Sequence, residues 1–187
     1  ELIYPATSDG ATPPRVQRLA EALDAPATGR PAWHFRSAEA LEALERADEQ
    51  GWTTASCERL AAAFGGVADV LAEEEGRTRQ ADAARFNQGV VLSRCEDPRA
   101  LEVFSALAAR HHDPAMAMAA RERVQKGELS RDAAIEELRQ GIIAAEFDAP
   151  DSLTLLGRWL RERGDGDDLV EAKQQLQRAL ARRPRDP

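Results

Sequence analysis

Two cysteines are the residues of this sequence whose spacing most directly suggests chemistry. Cys57 and Cys95 are the only cysteines in the 187-residue chain, and both lie nineteen residues from Gly76, one before it and one after. If Gly76 is the turn of a helical hairpin, the two thiols reach the same height at its open end. A disulfide forms there when the Cα atoms come within about 7 Å. We therefore predict a Cys57–Cys95 disulfide, with two reduced, half-buried thiols as the alternative.

The state of these thiols bears on where the protein works. A disulfide indicates an oxidising compartment such as a bacterial periplasm, whereas reduced thiols fit a cytosolic protein. Closing a loop of this length stabilises a fold by roughly 3 to 4 kcal/mol, less any strain.

Histidine and acidic clusters were considered as metal sites. His111, His112 and Asp113 precede Pro114, but adjacent helical histidines point in different directions and their spacing is not that of a zinc site. Histidines at a helix C-terminus, where they favour the dipole, explain the pattern better. The run GDGDD at residues 164–168 lacks the spacing of a calcium loop and its terminal glutamate, which favours a turn.

No catalytic constellation is visible in the sequence. Glu73–Glu75 reads as a solvated acidic surface, and no glycine-rich phosphate loop follows a strand. We therefore expect no enzymatic activity, no bound metal and no cofactor.

The elements that must position these residues are predicted to be helices. Apolar residues make up 43% of the chain but aromatic ones only 5%, and the dominant apolar residue is alanine, which suits closely packed helices. The net charge of −8 argues against nucleic acid and anionic lipid as partners. No apolar run is long enough to span a membrane. Because the chain begins at Glu1, a removed or upstream N-terminus could still tether it to one.

The chain divides into an irregular, Pro/Gly-rich tether at residues 1–32 and a helical domain at residues 33–187. We predict eight or nine helices, at about 37–50, 54–71, 79–94, 98–108, 114–126, 130–147, 153–163 and 169–182, with a weak patch at 16–23. Gly65–Gly66 could bend or break the second of these helices. The apolar faces include Leu60, Phe64, Val67, Leu71, Ala83, Phe86, Val90, Val91, Phe104, Leu107, Ile135, Leu138, Ile142 and Phe147.

The last part of the chain resembles a tetratricopeptide repeat. Leu153-x2-Leu156-Gly157-x2-Leu160 is followed by Ala172-x3-Leu176-x2-Ala179 and then Pro184. Weaker copies run from Gly89 through Ala100 to Phe104 and from Ala134 through Leu138 to Gly141, so that the resemblance covers about residues 79–187. A turn longer than the family norm brings the last copy closer to the related Sel1-like repeats.

This resemblance implies a right-handed superhelical solenoid of antiparallel helix hairpins. Small residues would stand where helix axes come close, with large residues filling the gaps beside them. The positions expected to pack the repeats are Gly89, Ala100, Phe104, Gly141, Gly157, Ala172, Leu176 and Ala179.

The resemblance also implies a non-enzymatic scaffold that binds a protein or peptide in a groove lined by the first helix of each hairpin. The expected groove residues are Phe86, Val90, Arg94, Arg123, Asp151, Thr154, Arg158 and Arg161. Their arginines would suit a carboxylate-bearing partner. Similar proteins include periplasmic or outer-membrane lipoproteins of motility, pilus or secretion assemblies. The alternatives are a cytosolic adaptor or regulatory domain of a larger protein and a metal- or small-ligand-binding helical protein.

Overall fold

The computed structural model describes residues 2–5, 27–30, 46–47 and 51–182. Two short parallel strands pair with Leu2 opposite Ala27 and Pro5 opposite Arg30. The elements are β1 (Leu2–Pro5), β2 (Ala27–Arg30), α1 (Thr54–Ala72), α2 (Thr78–Arg94), α3 (Arg99–Ala108), α4 (Asp113–Gln125), α5 (Arg131–Ala144), α6 (Pro150–Arg163) and α7 (Asp168–Arg182). In the part of the chain that is described, no helix combines the length and the apolar character needed to cross a bilayer.

The predicted all-α class is confirmed for residues 51–182, which contain seven helices and no strand. The β1–β2 pair within the predicted tether was not anticipated. The predicted helix at 37–50 lies outside the described residues apart from Arg46 and Ala47, which are helical. The weak patch at 16–23, His34 and Pro184 also lie outside them. Eight or nine helices and a solenoid stay predictions.

By its internal contacts the chain forms two compact units, Glu1–Cys95 and Glu96–Pro187. In the first unit, α1 and α2 form an antiparallel hairpin around Gly76, whose φ of 78° is a left-handed conformation that favours glycine. Thr53 begins α1, because its hydroxyl accepts the Ser56 N–H while the Ser56 hydroxyl accepts the Thr53 N–H. The buried hairpin cluster is Val67, Ala68, Leu71, Ala81 and Ala84.

Three details of the first hairpin differ from the sequence prediction. Ala83 and Val90 are exposed, because α2 turns Ala81, Ala84 and Val91 inward instead. An alanine-rich helix carries apolar residues on several faces, so periodicity alone does not identify the buried one. Helix α1 also runs unbroken through Gly65 and Gly66.

The second unit contains α3 to α7 and a larger core. Leu138 and Ile142 of α5 belong to one buried cluster with Leu153, Leu156 and Leu160 of α6. Phe147, expected on the core face of α5, lies beyond the helix end at Ala144 with a φ of 61° and is 37% exposed. The prediction that it lines the core is therefore wrong. The guanidinium of Arg178 lies 5.0 Å from its ring centroid.

Helices α4–α5 and α6–α7 repeat with a constant step. The first helices begin at residues 113 and 150 and the second helices at 131 and 168, a step of 37 in both cases. The helices end at residues 125 and 163 and at 144 and 182, a step of 38. Equivalent helices begin close together, since Asp113 at the start of α4 contacts the first turn of α6. Two hairpins therefore stack side by side with α4 and α6 pointing the same way.

Candidate functional site

The predicted disulfide is present. Cys57 lies in the first turn of α1 and Cys95 directly follows α2, so the bond closes the open end of the hairpin with Cα atoms 6.2 Å apart. The covalent link spans 38 residues of sequence. Close by, the guanidinium of Arg94 lies over the Trp52 ring, 4.0 Å from its centroid. The two ends of the hairpin are therefore joined by a covalent bond and by a cation–π contact.

Asp113, which the sequence grouped with two histidines, joins the two stacked hairpins. Its carboxylate accepts the backbone N–H of Asp151 at 2.7 Å and that of Ser152 at 2.8 Å. These N–H groups belong to the first turn of α6, where no earlier carbonyl is available to accept them. A residue of α4 thus caps α6 and interacts favourably with its dipole. Among the described residues, no three side chains of the metal-binding types come together.

The acidic run at 164–168 forms a turn closed by an arginine. Arg163 donates two hydrogen bonds to the carboxylate of Asp168, both at 2.7 Å, and a third to Asp132 at 3.0 Å. The N–H of Asp165 also donates to Asp168. The hydrogen bonds from Arg163 hold the pKa of the Asp168 carboxyl below its ordinary value, and those from Asp168 and then Asp132 raise the pKa of Arg163. This network connects the ends of α6 and α7 to the start of α5.

In the first unit, the expected groove residues follow one face of α2. Phe86 is half-buried, Val90 is largely exposed and Arg94 is exposed at the helix end, where it covers Trp52. Spacing of four residues places the three side chains on the same side of the helix.

In the second unit, the expected groove residues lie on α4 and α6. Arg123 of α4 donates to Glu137 of α5 at 2.6 Å and is half-buried. Asp151 is half-buried at the start of α6, and the Thr154 hydroxyl donates to the Pro150 carbonyl at 2.7 Å.

Arg158 and Arg161 complete the α6 set, and both are exposed. Together with Thr154 they follow the i, i+4, i+7 spacing of one helix face. Among the described residues, no carboxylate lies within ion-pair distance of either guanidinium. The two arginines therefore present uncompensated positive charge on a protein that is acidic as a whole.

A cleft of about 270 Å³ in the second unit was not anticipated from the sequence. Four helices contribute to it: its lining is Ser105, Ala108, Met116, Ala119, Ala120, Arg123, Glu137, Leu138, Gly141 and Ser152. The floor is apolar, and the Arg123–Glu137 ion pair lies in the wall. Short side chains at positions 119, 120 and 141 leave the space open, and this clustering of small residues is the signal that sequence reading could have used.

The residues expected to pack repeats occupy crowded positions in the second unit. A Cβ atom on Gly157 would lie 2.7 Å from Leu176 Cγ and 3.2 Å from the Ala172 carbonyl oxygen. A Cβ on Gly141 would lie 3.2 Å from the Met116 sulfur. The remaining residues of this group are buried: Gly89, Ala100, Phe104, Ala172 and Ala179.

No protein-family model, no curated protein and no solved structure matches this chain. The likeness to tetratricopeptide repeats therefore rests on the residues quoted above.

Proposed function

We propose that this chain is a non-enzymatic scaffold that binds an acidic segment of a protein partner through the arginine face of α6, defined by Thr154, Arg158 and Arg161. The uncompensated charge of the two exposed arginines carries the proposal. Guanidinium groups form strong, bidentate hydrogen bonds with carboxylates. An extended peptide rich in Asp and Glu, or one ending in a free carboxylate, has the matching chemistry.

The stacked hairpins support this role, because each rigid helix holds its side chains at fixed spacing. Arg123 and Arg161 occupy equivalent places on α4 and α6, one hairpin step of 38 residues apart. Arg123 already donates to Glu137, which shows the kind of carboxylate contact that the α6 arginines offer to a partner. A tetratricopeptide-like array remains part of this proposal.

The test measures affinity for fluorescein-labelled acidic peptides by anisotropy. Arg158→Glu and Arg161→Glu should each lower affinity at least tenfold, since a favourable contact becomes a repulsive one. Arg121→Glu is the matched control, because it makes the same charge change at an exposed position of α4. Circular dichroism should show unchanged helicity in all three variants. Equal effects of the control and the test variants would mean that only net charge matters, and the arginine face would be abandoned.

The disulfide supports a place in an oxidising compartment, and we propose the bacterial cell envelope, in a motility, pilus or secretion assembly. A periplasmic or outer-membrane-associated protein would keep this bond, whereas the cytosolic adaptor alternative requires free thiols. Thiol titration of protein isolated from its own cells under alkylating conditions separates the two. Two reactive thiols per chain would favour the cytosolic adaptor.

A second candidate function is the binding of a small ligand, which the cleft between α3, α4, α5 and α6 favours. Its apolar floor and its Arg123–Glu137 pair suit a small, mainly apolar molecule with one polar end. Native mass spectrometry of the freshly purified chain should then detect a bound small molecule. Met116→Trp, which extends a large side chain from the cleft wall, should release it. A ligand-free spectrum together with no thermal shift on adding zinc or calcium would remove this candidate.

A further inference from the structure

The outer face of α7 carries a row of apolar residues that its own unit does not cover. Leu169 and Leu180 are 58% and 73% exposed, and Leu176 is half-buried beside them. Lys173 lies between them, also exposed. The spacing 169, 173, 176, 180 is the alternating step of four and three residues that forms a seam along one side of a helix. We call these four residues the α7 seam.

The preceding hairpin shows what covers the equivalent surface. A step of 38 residues maps the α7 seam onto Arg131, Ile135, Leu138 and Ile142 of α5. Ile135, Leu138 and Ile142 are buried in one cluster with leucines of α6. Arg131 donates to Glu162 of α6 at 2.9 Å and lies 5.9 Å from the Trp159 ring centroid. A helix therefore covers this face on α5, and the same geometry on α7 is suited to a further helix.

One substitution between the two faces specifies the partner's chemistry. Where α5 has the buried Ile135, α7 has Lys173, and no carboxylate among the described residues lies within ion-pair distance of its ammonium. A helix that covers the seam removes water from this charge, which is costly unless a carboxylate is placed opposite. The covering helix must therefore be apolar along its length and acidic at one central position.

A second copy of this chain does not meet this requirement. Gln174 and Gln177 flank Lys173 on the exposed side of α7, and Glu171 is held by Arg139 at 2.6 Å. Pairing two α7 helices would place Lys173 against the same lysine or against leucines, with no carboxylate in either arrangement. Charge complementarity thus favours a different polypeptide.

We propose that the α7 seam docks one amphipathic helix of a partner protein, with a leucine-type apolar stripe and a carboxylate facing Lys173. The site is distinct from the arginine face of α6, which takes an extended acidic segment. It adds a second docking surface to the proposed scaffold.

The test uses the full chain and two labelled helical peptides of about 21 residues that share one apolar stripe. They differ at a single central position, which is Glu in one peptide and Lys in the other. Anisotropy should show at least tenfold tighter binding of the Glu peptide. Lys173→Glu should reverse the preference, and Leu180→Glu should weaken binding of the Glu peptide at least tenfold.

Val170→Glu is the matched control, because Val170 is also 58% exposed but lies about 100° around the helix from Leu169. It should leave peptide binding unchanged, as should Arg158→Glu, so that failure of the arginine face and failure of the seam are distinguishable. Equal affinity for the two peptides, or no binding of either, overturns the proposal. So does sedimentation that shows a dimer of the chain abolished by Leu180→Glu. If that variant loses helicity, the reversal by Lys173→Glu decides.

Discussion

The α1–α2 and α6–α7 hairpins have the same antiparallel pairing but are held together by different chemistry. Alanines make up most of the buried cluster of the first hairpin, and a disulfide closes its open end. In the second hairpin, α6 contributes Leu153, Leu156, Trp159 and Leu160 to the core, and an arginine–aspartate network closes the turn. Each carbon that a leucine buries beyond an alanine contributes roughly 0.8 kcal/mol. A covalent bond thus supports the hairpin with the thinner apolar core.

Removing the disulfide should produce the largest effect in the first hairpin. Cys57→Ala combined with Cys95→Ala should lower the free energy of unfolding by roughly 3 to 4 kcal/mol, because the unfolded chain regains the freedom of a long loop. Urea denaturation followed by circular dichroism measures this loss. Wild-type protein in reductant should match the double variant. A loss below about 1 kcal/mol would show that packing alone holds α1 against α2.

Crowding should produce the largest effect in the second hairpin. Gly157→Leu should cost about 1 to 3 kcal/mol, because the new side chain meets Leu176 and the fixed Ala172 carbonyl. Gly157→Ala should cost less but still destabilise. Adding Leu176→Ala should recover part of the loss from Gly157→Ala, since it vacates the position of the closest atom. Unchanged unfolding of Gly157→Leu would contradict the close approach of α6 and α7.

These two hairpins also show what the sequence could and could not predict. Local signals identified the Thr53 and Ser130 caps, the Gly76 turn and the disulfide, because each depends on a few residues near in sequence or on a symmetric hairpin. Crowding at Gly157 was readable because one glycine stands among large apolar residues.

Other features depend on which helix lies opposite, and no local pattern states that. The buried side of α2 was misjudged because its alanines surround the helix. The cleft combines side chains from four helices, and the cap that Asp113 provides is 38 residues away from its first acceptor site, the N–H of Asp151. The charge of Lys173 takes on meaning only once α5 and α7 are known to be equivalent.

The polar closure of the second hairpin should make it sensitive to acid. Because Arg163 lowers the pKa of Asp168 in the folded state, the carboxylate stabilises the fold above its ordinary pKa of 3.8. This contribution is lost as pH falls from that value through the lower folded-state pKa. Asp168→Asn should reduce stability at pH 7 and flatten its decline below about pH 4. Asp167→Asn, at the exposed neighbouring position, should retain the wild-type pH profile; an equal flattening there would remove Arg163–Asp168 as the cause.

The smallest effect is expected at Gly65, the counterpart of Gly157 in the first hairpin, and its sign should be opposite. A Cβ on Gly65 would meet only the side-chain amide of Gln88, with Nε2 at 2.6 Å, whereas Gly157 faces a carbonyl of the backbone. The end of a glutamine side chain can move aside, although Gln88 must then give up the hydrogen bond that it accepts from Arg85 at 2.9 Å.

Replacing a helical glycine by alanine gains roughly 0.5 to 1 kcal/mol of helix stability. Gly65→Ala should therefore leave the free energy of unfolding unchanged or raise it by up to about 1 kcal/mol. Adding Gln88→Ala removes the obstructing amide, so the effect of Gly65→Ala measured in that background should approach the full gain. If Gly65→Ala instead destabilised as strongly as Gly157→Ala, the two hairpins would share one rigid packing rule, and the contrast between a clamped interface and an interlocked one would fail.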